Sequence, residues 1–251
     1  MKLKKMTQKM TIQLAYPLMI AIALFSCKKD KDNQGIGFNS NSYIQGYGYS
    51  NDSTGSSTSS SSSNTQTNLT VTDIDGNTYR TVKIGTQTWM AENLKVTRYR
   101  NGSSITYVTG SWSSLTSGSW GYPNHSSANN ATYGKLYNYY AAVDSRKVAP
   151  QGWHVPSLSD WTTLFNYLGG SSIAGGKMKE TGTSHWLSPN TGATNSSGFT
   201  ALPAGSDNSN FTLSASFWAT QGNASIQYNG VDMIYWPSTG AGGISIRCVK
   251  D

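Results

Sequence analysis

Cysteine and histidine are scarce in this chain, with two of the first and three of the second in 251 residues. No Cys-x-x-Cys or His-x-x-His spacing occurs, and His125, His154 and His185 are widely scattered. No metal site is expected from them. His154 is expected at a strand-to-helix junction, hydrogen-bonded to backbone. Charge is also thin, at 12% of residues. The formal net charge of +7 owes Lys2, Lys4, Lys5 and Lys9 to the first nine positions; without them 15 basic residues face 12 acidic ones. No basic stripe remains, the densest cluster being Lys95, Arg98 and Arg100, so nucleic acid is excluded as a partner. Gly-x-Ser-x-Gly is absent, which removes the usual serine-hydrolase turn. The stretch from Gly169 to Met178 lacks the order of a phosphate loop, because Met follows the Lys and a helix rather than a strand precedes it. It is expected to form a loop and helix cap. Long apolar runs are missing too: Ile12 to Phe25 is the longest, broken by Gln13, Tyr16 and Pro17, and is short for a membrane span.

That short run is informative in another way. It follows a basic segment and ends Leu24-Phe25-Ser26-Cys27, a pattern that resembles the lipobox of bacterial lipoproteins. Residues 1–26 therefore read as a lipoprotein signal peptide and Cys27 as the lipidation site. Several acyl chains there would hold the chain firmly, at about 0.8 kcal/mol per buried CH₂. Lys28-Lys29-Asp30-Lys31-Asp32 resembles the charged tag of Bacteroidetes-type lipoproteins sent to the cell surface. The remainder of 27–68 is rich in Gly and then in Ser, Thr and Asn, with too little apolar surface to form a core, and reads as a flexible tether. The expected location is the outer membrane, lipid-anchored, at the cell surface, with the membrane itself as a partner through Cys27.

From Leu69 the texture changes to a domain spanning 69–251. Val71, Ile74, Tyr79, Val82 and Ile84 mark two short strands, and Asp75-Gly76-Asn77 marks a turn between them. One helix is expected over Leu136 to Val143. A second follows Pro156, where Ser157 and Asp160 come close to a capping box and Leu158, Trp161, Leu164, Phe165 and Leu168 share a face. Gly243 to Val249 alternates apolar and polar residues, the pattern of a strand. The fold class is α+β and loop-rich, with 15 Tyr and 8 Trp supplying core area in place of long amphipathic helices.

Five ordered segments carry a family resemblance: Thr72 to Asn77, Trp89 to Leu94, Tyr133 to Asn138, Gly152 to Pro156 and Ile246 to Val249. They resemble the Fibrobacter succinogenes major paralogous domain, itself similar to the formylglycine-generating (sulfatase-modifying) enzymes. The resemblance implies a C-type-lectin-like fold, with two helices packed on short twisted antiparallel sheets and the two ends of the domain close together. It also implies a cysteine where this chain has Ala149, a partner for the C-terminal one. Cys248 is therefore expected as a buried free thiol, without cross-link stabilisation. The enzymes of this fold use two cysteines for copper-dependent oxidation, and one is present; the resemblance is taken to carry the scaffold and not the chemistry. C-type lectins hold calcium with an acid-Pro-Asn run followed by Trp-Asn-Asp. Ser188-Pro189-Asn190 lacks the acid and Asp207-Asn208 stands alone, so no cofactor is expected and structural calcium has no support in the sequence.

What remains is aromatic surface chemistry near the C-terminus. Phe217, Trp218, Tyr228, Tyr235 and Trp236 are interspersed with amides and hydroxyls, and of these Trp218 is the one expected in the core. Gln221, Asn223, Gln227, Tyr228, Asn229, Asp232, Tyr235 and Trp236 are the candidate ligand-binding residues. Flat rings supply contact area at low entropic cost and amides supply direction. The function expected is a binding module for a glycan or cell-surface protein, on a face that the resemblance implies is open to hypervariation. A degenerate relative of the formylglycine generators and a ligandless surface coat are the alternatives.

Overall fold

The computed structural model describes residues 69–207 and 209–251. The expected signal peptide, Cys27 and the tether lie outside them. β1 (Thr70–Thr72) and β2 (Thr78–Ile84) pair antiparallel with Val71 opposite Tyr79. Their turn is organised by a residue that composition alone does not single out. Asp73 Oδ1 accepts the backbone N–H groups of Asp75 and Asn77 at 2.9 and 3.0 Å, and its Oδ2 accepts the Tyr79 hydroxyl at 2.6 Å. Gly76, at φ +85°, takes the left-handed position that a side chain would oppose. β3 (Gln87–Met90) folds back on β2.

β4 (Thr106–Tyr107), β5 (Ser119–Gly121) and a single helical turn, α1 (Asn130–Tyr133), follow. The helix expected over Leu136 to Val143 is then corrected. Leu136 and Tyr137 form β6, and only Tyr139–Ala142 is helical, as α2. Asn138 decides the boundary: its side chain accepts the Ala141 N–H at 3.0 Å, an N-cap that starts the helix after the strand. Hydrophobicity could not separate the two halves, because Leu136, Tyr137, Ala141 and Ala142 are all buried.

β7 (Trp153–His154) leads into α3 (Leu158–Tyr167), which begins with the full capping box between Ser157 and Asp160. Trp161, Leu164, Phe165 and Leu168 are buried as the spacing predicts, while Leu158 is exposed. A second correction follows directly. Ser171–Met178 is a helix, α4, and not a loop. Each mid-helix glycine costs about 1 kcal/mol of helix propensity, and close packing is what requires them. A Cβ on Gly175 would lie 2.0 Å from Ile226 Cδ1 and 2.9 Å from the Val231 carbonyl, and one on Gly176 would lie 2.7 Å from the Gly192 carbonyl.

The chain ends with β8 (Ser214–Ala219), β9 (Gly222–Gln227), β10 (Ile234–Trp236), β11 (Ile244–Ser245) and β12 (Val249–Lys250). Two sheets result, ordered β1-β2-β3-β12-β7 and β10-β9-β8-β11-β6-β5-β4. The architecture is mixed, mostly β with few helices. The pairing is not wholly antiparallel, since β11 runs parallel to β8 and β4 parallel to β5.

The segment Gly243–Val249 corrects a third expectation. It is not one strand but parts of two, β11 and β12; it is buried throughout and passes from the second sheet into the first. Ile244, Ile246 and Cys248 enter one core with Tyr79, Tyr99, Tyr137 and Trp218, while Val249 joins the other with Trp89, Trp161, Phe199 and Phe217. The alternation therefore separates two dry sides, and the polar members must find partners inside. Arg247 is wholly buried, and its Nε and Nη2 donate to Asn93 Oδ1 at 3.0 and 2.6 Å. It also donates to the carbonyls of Phe199 and Thr200, and its guanidinium lies 4.4 Å from the Phe199 ring centroid.

Candidate binding face

The candidate residues cluster at one edge of the second sheet, where alternation sorts them. On β9, Asn223, Ser225 and Gln227 share a side, and their cross-strand partners are Trp236 and Ile234 on β10 and Trp218, Ser216 and Ser214 on β8. The opposite side carries Ala215, Phe217, Ala219, Ala224 and Ile226, buried in the core that also holds Trp161, Leu164, Ala174 and Met178 from α3 and α4. Apolar residues at every second place thus hold the sheet down, and the intervening ones lie on the other side, where Ser214, Ser225 and Trp218 are buried, Ser216 and Asn223 half-buried and Gln227 exposed.

At the edge this outer side is uncovered: Trp236 is 55% exposed and Ile234 37%. Beside them Ser216 and Ser225 hydroxyls lie 2.8 Å apart, and Ser225 Oγ donates to Asn223 Oδ1 at 3.2 Å. That bond orients the Asn223 amide and leaves its N–H groups without a partner among the described residues. The Gln227 side chain is likewise unengaged there and exposed. The result is a flat apolar strip of Trp236 and Ile234 bordered by directed amides.

Other candidates do different work. Gln221 Oε1 accepts the Leu158 N–H at 2.9 Å and so caps α3. Tyr235 is on the core side, packed half-buried against the second cluster with its hydroxyl buried. Tyr228 also packs on that cluster, while Asn229 and Asp232 are exposed on the loop leading to β10. Phe217 and Trp218 are core, the Trp218 indole donating to the Tyr137 carbonyl at 2.6 Å.

That loop is tied down by a residue the sequence reading passed over. The buried Lys179 ammonium, just beyond α4, donates to the carbonyls of Thr191 at 2.9, Gly230 at 2.8, and Gln227 and Tyr228 at 3.3 Å. Burial pulls its pKa down to about 8, against the opposing charge of Asp232. Four carbonyls satisfy the ammonium without a carboxylate, and in return the end of β9 is fixed. Its only sequence signal is a lone Lys between Met178 and Glu180.

The histidines stand apart, and His154 bonds to carboxylates rather than to backbone as expected, reaching Asp251 at 2.7 Å and Asp160 at 3.2 Å. No group of three metal-ligating side chains occurs among the described residues. Cys248 is a free, fully buried thiol, and burial raises its pKa well above the ordinary range.

The profile of the Fibrobacter succinogenes major domain matches residues 82–250. The chain belongs to this family. Comparison with curated proteins and with solved structures returned no match. The segments by which the sequence resembles the Fibrobacter succinogenes major domain meet in space. Met90 N–H donates to the Cys248 carbonyl and Leu94 N–H to that of Ile246, at 3.0 and 2.9 Å. Asn93 Nδ2 donates to the Tyr133 carbonyl at 2.9 Å, and Lys135 N–H to that of Leu94 at 3.0 Å. Val249 pairs with both Trp89 and His154. Gly134, at φ +72°, passes so near Asn93 that a Cβ would sit 2.9 Å from its Cβ and carbonyl oxygen. These segments build the framework, and the candidate face lies outside them.

Proposed function

We propose that this chain is an outer-membrane lipoprotein, anchored through acyl chains on Cys27, that displays a C-type-lectin-like binding module at the cell surface for a glycan or a protein ligand. The observation that carries the reading is the outer side of β9 and β10, where exposed Trp236 and Ile234 stand beside the oriented Asn223 amide and the unengaged Gln227. Sugar faces and protein epitopes both accept a flat ring with amide donors and acceptors at its border. The lectin-like assignment is supported by β12 lying beside β3 in the sheet that β1 opens, which draws the ends of the domain together. It is supported also by α3 packing on the second sheet. The scaffold relation to formylglycine-generating enzymes is kept without their chemistry, because the single thiol of the described residues is sealed in a core. Hypervariation at the face would be tolerated there, since the Trp236 and Gln227 side chains are exposed and make no hydrogen bond to the described residues.

Residues 27–251 carrying Cys27→Ser, and so free of lipid, are to be screened against immobilised glycans and cell-surface extracts with and without calcium, beside the Ile234→Ser/Trp236→Ala double variant. Selective binding that disappears in a variant with an unchanged unfolding midpoint is expected. Equal binding by both forms places recognition away from this face and overturns the assignment, and binding to no surface moves the reading to a ligandless coat. Labelled palmitate incorporated by the native lipoprotein, and not by Cys27→Ser, tests the anchor.

A further inference from the structure

A concavity lies away from the candidate face, between α2 with the turn that follows it, β7, and the β8–β9 turn. It is a cleft of about 390 Å³ and shares no residue with the outer side of β9 and β10. Its floor is apolar: Ala142, Val148, Ala149, Trp153 and Val155 line it and are all buried. One wall is fixed by the Tyr139 hydroxyl, which donates to the Thr220 carbonyl at 2.8 Å. The volume falls within the range of small-molecule sites, and the lining is mainly apolar.

The polar groups around it divide into two sets. Some are already engaged within the protein: Asp144 is held by Arg146 at 2.7 Å, and the two ring nitrogens of His154 face Asp251 and Asp160. The rest are not engaged by any described residue: the Lys147 ammonium and the hydroxyls of Ser145 and Thr220, all three lining the cleft. Each can donate a hydrogen bond, and Lys147 supplies the one positive charge in the lining that no carboxylate offsets. Lys147 is moreover held at φ +61°, a left-handed conformation uncommon for a side chain of its size. Two backbone bonds fix it there, its N–H to the Asp144 carbonyl and its own carbonyl to the Arg100 N–H, at 2.9 and 2.8 Å.

From this distribution we infer that the cleft binds a small organic anion, with an apolar, ring-bearing body on the Trp153 floor and a carboxylate at the Lys147, Ser145 and Thr220 rim. The inference is independent of the proposed binding face, and either can fail without the other. The probes are 4-phenylbutyrate and its neutral analogue 4-phenylbutanamide, titrated calorimetrically into residues 27–251 carrying Cys27→Ser. The Trp153 indole N–H resonance, assigned by Trp153→Phe, reports the place of binding. The expected result is a shift of that resonance with a preference for the acid over the amide of about fivefold, the scale of one exposed charge contact. Lys147→Met is expected to abolish the preference while leaving the amide's affinity and the unfolding midpoint unchanged, and Ala149→Val, which narrows the floor, to weaken both probes alike. Equal affinity for acid and amide, a preference that survives Lys147→Met, an unmoved Trp153 resonance, or no binding of either probe overturns the inference.

Discussion

The interlock around Arg247 and the outer edge at β10 are made of similar materials and put them to opposite uses. Each combines amide-bearing residues with aromatic rings: Asn93, through the Arg247 guanidinium, with Phe199 and Phe217 in the interior, Asn223 and Gln227 with the Trp236 edge outside. Inside, Asn93 spends its oxygen on Arg247 and its nitrogen on Tyr133 and Ser245. Outside, the Asn223 amide nitrogen and the Gln227 side chain spend nothing on the described protein. Residue type alone therefore does not tell a framework from a recognition surface. What separates them is whether the fold itself consumes their hydrogen-bonding capacity.

The contrast sets the order of expected effects. Asn93→Ala leaves a buried guanidinium with two carbonyls and no side-chain acceptor, and is expected to cost about 3–5 kcal/mol, read as a large fall in the denaturation midpoint; a loss below about 1 kcal/mol would break the distinction. Lys179→Met removes the donor shared by four carbonyls and is expected to cost about 1–3 kcal/mol, with weakened protection from hydrogen exchange at the end of β9. Asp160→Asn weakens the α3 cap by about 1 kcal/mol, and its pH dependence has a definite sign. Burial opposes ionisation of Asp160, yet the bonds from Ser157 and His154 outweigh it and hold its pKa below the usual carboxylate value. Its contribution is then complete above the unfolded-chain pKa of about 4 and is lost as pH falls through the lower folded one. The difference between wild type and Asp160→Asn, clear at pH 7, is expected to vanish in denaturation curves taken toward pH 2. Trp236→Ala is expected to change stability by no more than about 0.5 kcal/mol while removing ligand binding, the smallest structural effect with the largest functional one.

Much of the framework was legible in the chain because local rules and burial agree there. The Asp75-Gly76-Asn77 turn, the Ser157 cap and the apolar face from Trp161 to Leu168 each satisfy a local preference and a packing need together, and the family segments point the same way. Legibility failed where packing overrode local preference. Gly175 and Gly176 read as loop because their purpose, a close approach to Ile226, Val231 and Gly192, is visible only in three dimensions. The stretch from Gly243 to Val249 reads as one strand because alternation looks the same whether the chain stays in one sheet or passes between two. At the edge, the polar-apolar alternation from Asn223 to Gln227 held the signal that separates outward from inward residues. Extended along β10, it would have placed Tyr235 inside and Ile234 outside. Gln221 and Tyr235 were chosen by chemical type, and each has its own structural employment, as a helix cap and as core packing.

The placement of β11 and β12 in the interior of their sheets has a consequence in time. Neither sheet can be completed until the stretch from Ile244 to Lys250 has arrived, because β8 and β6, like β3 and β7, are joined only through it. A chain emerging from its beginning would thus have both sheets still open until its last residues arrive, its earlier strands paired only with their neighbours. Closure of both sheets is then one late event of high contact order, set by the order of the strands.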